Sequence, residues 1–481
     1  MNNIDIQNFK QIRNLKESSR IEFKTISDKL GSSFWETYSA FGNTQGGLII
    51  LGVKEGKTEN EILGVNNPDK IAKDIVTGAN NKDLVNKNIL RSDDIKFITE
   101  EDKTVIVVTI PKVEYRDKPI YLRGKIATTY KRLHESDQLC NINEINAMIR
   151  DSSVSALDRK ILENYDINDL DVITVEKYRL RMKEVSPESH FNKIGSLEEF
   201  LKSIGILLKN RTTGNFELTL GGLLMFGKTT SIKSYLPHFH LEYIDKSDSN
   251  VDRWVDRIIY DGTWGEENLY NFYNIVITKL EAIIKTPFKL MGDGVTRDDS
   301  NDFKVAIREV LLNTLIHADY EFPVGVIISK LENEYVFENP GLLRLTPEEI
   351  LTEKLYSDPR NPLIMDLFRF IKLSERAGSG IKTILQTVNG LGLQNPTIEV
   401  SQNRIKFTLP DTLILDSAHL NKNEKIILAF ILEHGEIKNK DVQDLLNLKR
   451  TAALNALNLL LEKNFIMQIG KGRGNKYLLK K

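Results

Sequence analysis

The 481-residue chain has a single cysteine, Cys140. One thiol excludes an intramolecular disulfide framework and any zinc site built on several cysteines, and it fits a reducing compartment. No apolar run approaches the roughly 18 to 20 residues that crossing a bilayer requires. The opening stretch, Met1 to Ser19, is polar and has no apolar h-region, so no secretory leader is expected. Charge of one sign is also missing: the net charge is −1, which excludes a global basic field, so any nucleic-acid contact must come from local patches. There is no internal repeat and no low-complexity tract. The expectation is a cytoplasmic protein with no membrane partner.

What is present is ordinary for folded protein: 41% apolar and 28% charged residues, over a length that fits three or four domains. Four segments are expected. The first, 1–150, alternates strands and helices. Arg20 to Lys24 alternates polar and apolar, Ser32 to Phe41 reads as a helix capped by a serine, and Leu48 to Val53 is a continuous apolar run. Further strands are expected at Thr104 to Ile110 and Ile126 to Tyr130. The second, 151–300, is mixed α/β, with helices at Leu197 to Leu208 and Glu267 to Ile284 and a strand at His238 to Ile244. The third, 301–410, opens with a helix (Phe303 to Ala318), continues with strands at Val324 to Lys330 and Tyr335 to Glu338, and ends with a helix at Gly380 to Leu391. Asp411 to Leu420 reads as a linker. The fourth, 421–481, reads as a winged helix-turn-helix. The fold class expected is therefore a multidomain α+β protein.

Strand alternation puts Glu22 and Lys24 on one face and Ile21 and Phe23 on the other. Glu17 precedes this strand and Glu55 follows the buried one, so both can converge on Glu22. Carboxylates with a lysine at one place are what metal-dependent phosphodiester hydrolysis needs: oxygen ligands for Mg²⁺ or Mn²⁺, and a cation to offset phosphate charge. The same residues also fit a solvated strand face with a salt bridge. Further on, Arg123, Lys125, Lys131 and Arg132, interleaved with Tyr121 and Tyr130, offer phosphate contacts and stacking surfaces, or simply a charged strand face.

In the third segment Glu309, Asn313 and His317 recur every four residues on one helix, while Leu311, Leu312, Leu315 and Ile316 lie to the other side. This fits either a lined cavity or a water-facing polar stripe. In the tail, Lys449 and Arg450 open the third helix, and a hairpin tip, Gly470 to Asn475, carries Lys471 and Arg473. A basic helix start and a glycine-rich basic wing suit a phosphate backbone; a docking or dimerisation wing is the alternative.

The stretch ESSRIEFK, with SAFGNTQGGLIILGV after it, resembles the AlbA-type domain shared with Schlafen proteins, Asn43 to Gly47 being its most specific part. Some Schlafens are ribonucleases acting on tRNA and rRNA through two glutamates and an aspartate. The resemblance implies catalytic and metal-binding roles for Glu17, Glu22 and, at the aspartate position, Glu55, with Lys24 beside them. REVLLNTLIHADY, FENPGLL, DPRNPLI and ERAGSGI, in that order, resemble the divergent GHKL-class ATP-binding domain of RecG-related bacterial transcriptional regulators, an α/β sandwich. This implies ATP as cofactor, Glu309 orienting water, Asn313 holding Mg²⁺, and Asn339, Gly341, His317, Gly378 and Gly380 around the nucleotide. Asn339 stands where such ATPases carry an aspartate. The resemblance implies a nucleotide-controlled regulator that binds DNA through its tail and RNA or DNA through its first domain, as a homodimer. A metal-dependent ribonuclease of stress or phage defence, and an assembly protein with a nucleotide-free GHKL-like fold, are the other readings.

Overall fold

The structure is a computed structural model that describes residues 6–26, 28–153, 156–284, 299–351, 358–374, 380–401, 404–416, 419–470 and 475–480. It is α+β throughout and divides into two compact units: Met1–Ser155 with Leu342–Thr346, and Ala156–Gly341 with Pro347–Lys481.

The first unit is built on a four-stranded sheet whose strands lie in the order Ile21–Lys24, Gly47–Leu51, Lys103–Ile110, Ile95–Glu100. Ile21–Lys24 runs parallel to Gly47–Leu51, Ile21 opposite Leu48; the other pairs are antiparallel. Parallel neighbours need a crossover, and the helix Ser32–Asn43 supplies it. Its N-cap is Gly31, with no side-chain bond, so the expected serine cap is not made. The helix buries Phe34, Trp35, Tyr38 and Phe41 against Ile49, Leu51, Ile106 and Val108. The opposite sheet face packs Ile21, Phe23, Ile50 and Val107 on Phe9 and Ile12. Burial on both faces explains why the Leu48 to Val53 run is continuously apolar. The strand expected at 126–130 is displaced. Ile126–Thr128 is a 3-10 turn, and the strand is Tyr130–Leu133, in a hairpin with Ser136–Leu139.

In the second unit one apolar core runs from Leu162 to Leu409. Its six-stranded sheet has the order Asp256–Ile258, Leu241–Lys246, Val326–Leu331, Glu334–Pro340, Arg404–Pro410, Thr397–Val400. The helices Leu269–Ala282 and Asp299–His317 contribute Phe272, Tyr273, Val310 and Leu311 to that core. The helix expected over Leu197 to Leu208 stops at Ser203. Gly205, at φ +81°, turns the chain, and Leu207–Lys209 is a strand.

The tail folds around a core of its own, including Ile427, Ile431, Val442, Leu457, Leu460 and Tyr477. Three helices, Lys422–His434, Asn439–Leu446 and Arg450–Glu462, precede a hairpin of Ile466–Ile469 with Lys476–Leu479. Ile437 bridges Tyr477 along the hairpin's edge. Asn439 is the first residue of the second of these helices. The cap is Lys438, whose N–H donates to Asp441 Oδ2 at 2.8 Å. Among the described residues no helix is long and apolar enough to cross a membrane.

Candidate nucleic-acid and nucleotide sites

The first site starts from Asn43, at the end of the crossover helix and 4% exposed. Its Nδ2 donates to Ile120 O (2.8 Å) and Tyr130 O (2.9 Å), and its Oδ1 accepts from Ile120 N (2.8 Å). Next to it, Thr44 Oγ1 accepts from Arg132 N at 2.9 Å. The turn that follows needs glycine: Gly46 has φ +71°, and a Cβ there would meet Ile110 O at 2.7 Å. Asn43 and Thr44 thus fasten the strand Tyr130–Leu133 to the crossover helix, with Arg132 aimed at the first strand.

There Glu22 and Lys24 share a face, as alternation predicts, and Lys24 Nζ lies 2.7 Å from Glu22 Oε1. Glu22 Oε2 accepts from Arg132 Nη2 at 2.7 Å. Glu17 folds back: its Oε1 accepts from Phe23 N (3.0 Å), and its own N–H donates to Glu55 Oε1 (3.2 Å). Burial pushes the Glu17 carboxyl above its ordinary pKa, and the charges of Glu22 and Glu55 add to that push. The three carboxylates therefore lie together, with Glu22 and Glu55 both acting on Glu17. They do not make a ready metal site, because both Glu22 oxygens are held by cations. No group of three His, Cys, Asp or Glu side chains is placed to hold a metal ion among the described residues.

Two of the expected phosphate contacts are taken up by carboxylates of the domain itself. Arg132 is 5% exposed, because Glu22, Asp137 and Ser18 O take up its guanidinium. Lys131 pairs at 2.5 Å with Glu144, the third residue of the helix Ile142–Ser152 and the capping-box partner of its cap Asn141. Arg123 and Lys125 are exposed, on a turn where Arg123 has φ +55°, and Tyr121 and Tyr130 are half-buried.

The second site is on the helix Asp299–His317. Glu309, Asn313 and His317 form a half-buried stripe, while Leu311, Leu312, Leu315 and Ile316 are buried. The stripe meets the start of the helix Gly380–Gly390. A Cβ on Gly380 would lie 2.8 Å from Glu309 Oε2 and 3.0 Å from Asn313 Nδ2. On the strand Glu334–Pro340, Asn339 alternates with Tyr335 and Phe337 and so shares their face. That face meets the same helix, where Phe303 packs on Tyr335. Asn339 is 6% exposed and its Nδ2 is buried without a partner among the described residues. Beyond it Gly341 sits against Arg360, where a Cβ would lie 2.7 Å from Nη1. Arg360 donates to His317 O (2.6 Å), and Asn361 Nδ2 donates to Ile316 O (2.9 Å) and Ala318 O (2.8 Å). This pair satisfies the carbonyls that end the stripe-bearing helix. Gly378 lies outside the described residues.

In the tail Lys449 is the cap of the helix Arg450–Glu462, and both Lys449 and Arg450 are exposed. Lys471 and Arg473 lie outside the described residues.

Residues 17–141, which hold the whole first site, match the family model "Schlafen, AlbA_2". The chain carries a Schlafen AlbA_2 domain. Residues 325–409 match "Putative ATP-dependent DNA helicase recG C-terminal", so the chain also holds an ATPase-like domain. Residues 146–242 match a domain of unknown function. Among solved structures, the chain is similar to the DIP2311 protein of Corynebacterium diphtheriae, at 17% identity and TM-score 0.44, over 96% of this chain and 92% of that one. It is also similar to the "N-terminal Domain of Putative ATP-dependent DNA Helicase RecG-related Protein" of Nitrosomonas europaea. That likeness is 30% identical with a TM-score of 0.21, over 28% of this chain and 91% of that one. No curated protein matches the chain.

Sequence reasoning placed Arg132 on the surface and gave Asn43 no role beyond a family signature. The signal for Arg132 was in the spacing: in Tyr130-Lys131-Arg132-Leu133 it points opposite to Lys131, toward the body of the domain.

Proposed function

We propose that this protein binds nucleic acid under nucleotide control, as a DNA-binding transcriptional regulator that consults ATP. One observation carries the nucleotide half: among the described residues, Asn339 keeps a buried amide donor without an acceptor, on the face that meets the Glu309–Asn313 stripe. Burying an unpaired amide costs about 1–3 kcal/mol, so such a group fits a site completed by a ligand. An asparagine amide offers a donor and an acceptor side by side, which suits the N6/N7 edge of adenine. The glycine contact at Gly380 accords with a backbone that approaches phosphate, so the residues present fit ATP. Glu309 and Asn313 are the residues that would face its phosphates, and a bound nucleotide would supply the charge that Asn313 and the start of the Gly380–Gly390 helix answer.

For the nucleic-acid half, the support is the arrangement and charge of the tail. Residues 421–481 hold twelve Lys and Arg against six Asp and Glu, in a chain whose net charge is −1. Three helices with an edge-bridged hairpin suit a winged helix, with Lys449 and Arg450 at the start of the helix that would enter a groove. Winged helices that read two-fold sites act in pairs, and the protein is proposed to work as a homodimer.

A second reading, a Schlafen-type ribonuclease, is favoured by one observation: Glu22 and Glu55 lie close enough to Glu17 for their charges to help raise its carboxyl above its ordinary pKa. The residues do not fit the expected three-carboxylate metal site, so no metal step is derived. A single experiment separates the readings. Purified protein is incubated with labelled tRNA, single-stranded RNA or duplex DNA, with Mg²⁺ or Mn²⁺, with and without ATP, beside Glu22→Ala. Retention of uncut duplex DNA, with affinity altered by ATP, is the expected result. RNA cleavage that is lost in Glu22→Ala would replace the regulator by the nuclease.

A further inference from the structure

Two cations hold the Glu22 carboxylate, and they differ in what else they reach. Lys24 Nζ lies 2.7 Å from Oε1, with its side chain 15% exposed. Arg132 Nη2 lies 2.7 Å from Oε2, with its side chain 1% exposed. Arg132 is engaged inward on every side. Nη2 also donates to Ser18 O (3.0 Å), and Nη1 to Asp137 Oδ1 (2.9 Å). The guanidinium lies 5.2 Å from the centre of the Phe41 ring, and Nε is buried without a partner among the described residues. Asp137 Oδ2 in turn accepts from Thr37 Oγ1 on the crossover helix (2.5 Å). A phosphate therefore reaches the lysine and not the arginine.

We propose that the two cations divide the work: Lys24 meets a phosphate of bound single-stranded RNA, and Arg132 is a positioning residue that acts on the RNA only through Glu22. The planar fork of Arg132 sets the direction of the Glu22 carboxylate by joining it to Asp137. Glu22 in turn holds the Lys24 ammonium at the solvent edge of the first strand. This rests on reading the acidic face of the Schlafen AlbA_2 domain as a nucleic-acid face.

The test is the salt dependence of RNA binding by the full chain, measured with a fluorescent single-stranded RNA of about 20 nucleotides over about 50 to 200 mM KCl. Losing a phosphate contact on a single strand lowers the slope of log affinity against log salt by about 0.7, and losing a positioning residue leaves it unchanged. Lys24→Met is expected to lower the slope by about 0.7. Arg132→Met is expected to weaken binding about tenfold at every salt concentration with the slope intact, and to add nothing in a Glu22→Gln background. Arg132→Met leaves Asp137 without its cation, so Asp137→Asn, which only loosens the fork, serves as a milder second variant with the same signature at smaller amplitude. A slope that falls by about 0.7 in Arg132→Met, or losses that multiply in the double variant, would overturn the division of labour and leave the RNA face standing. RNA binding that none of these variants alters would remove the acidic face as the RNA site, and the proposal with it.

Discussion

Asn43 is the residue on which the first site depends. Its amide serves three backbone groups across two segments, Ile120 N–H, Ile120 O and Tyr130 O, all within 2.9 Å. Asn43→Ala leaves those groups buried and unpaired, which costs about 3 kcal/mol or somewhat more. We expect a urea midpoint for the first unit lowered accordingly, and faster amide exchange at Tyr130 and Arg132 while the central sheet stays protected. Unchanged exchange at Tyr130 and Arg132 would show that something else fastens that strand. The Asn43 to Gly47 motif was legible in the sequence as a signature, yet its purpose was not. A single sequence reports that residues stand together, not that an asparagine reaches a strand 87 residues later. Arg132 was misread for the same reason: two neighbouring basic residues look alike until a strand's two faces are assigned.

At the scale of elements, the join between the helix Asp299–His317 and the start of the helix Gly380–Gly390 decides whether a nucleotide site exists. The stripe of Glu309, Asn313 and His317 was legible, because four-residue spacing on a helix fixes a common face whatever the tertiary fold. Which element covers that stripe was not, since the covering element is distant in the chain and its approach depends on a glycine without a side chain. The end of the Leu197–Ser203 helix was likewise hidden. Apolar residues continue past it at Ile204, Ile206, Leu207 and Leu208, and only Gly205 marks the turn. Gly380→Ala tests the join. The atoms its Cβ would meet are the ends of the Glu309 and Asn313 side chains, which can swing away without disturbing the core. We expect the melting temperature without nucleotide to shift by only a few degrees, and ATP affinity, measured by calorimetry, to fall at least tenfold. Full ATP affinity in Gly380→Ala would separate the Glu309–Asn313 stripe from nucleotide binding.

At the scale of the molecule, a buried charge links stability to pH. Asp158 is 0% exposed and accepts from Ile364 N at 2.9 Å, so it ties the beginning of the second unit to the first turn of the helix Pro362–Phe370. Its other oxygen is buried without a partner among the described residues. Burial raises its carboxyl to a pKa of about 6 against the lowering effect of the backbone bonds from Ile364 and Leu363. The folded state thus binds this proton more tightly than the unfolded chain, whose aspartates titrate near 3.9. The stabilisation is complete below about pH 4 and is lost as pH rises through about 6, a change of about 3 kcal/mol. The oxygen of Asp158→Asn can still accept from Ile364 and carries no charge to bury. Chemical denaturation of the second unit at intervals from pH 4 to pH 7.5 is expected to show wild-type stability falling through this window. The fall in Asp158→Asn should be smaller by about 3 kcal/mol, which leaves the variant the more stable protein at neutral pH. Parallel profiles for the two proteins would mean that Asp158 keeps its charge in the folded state at little cost.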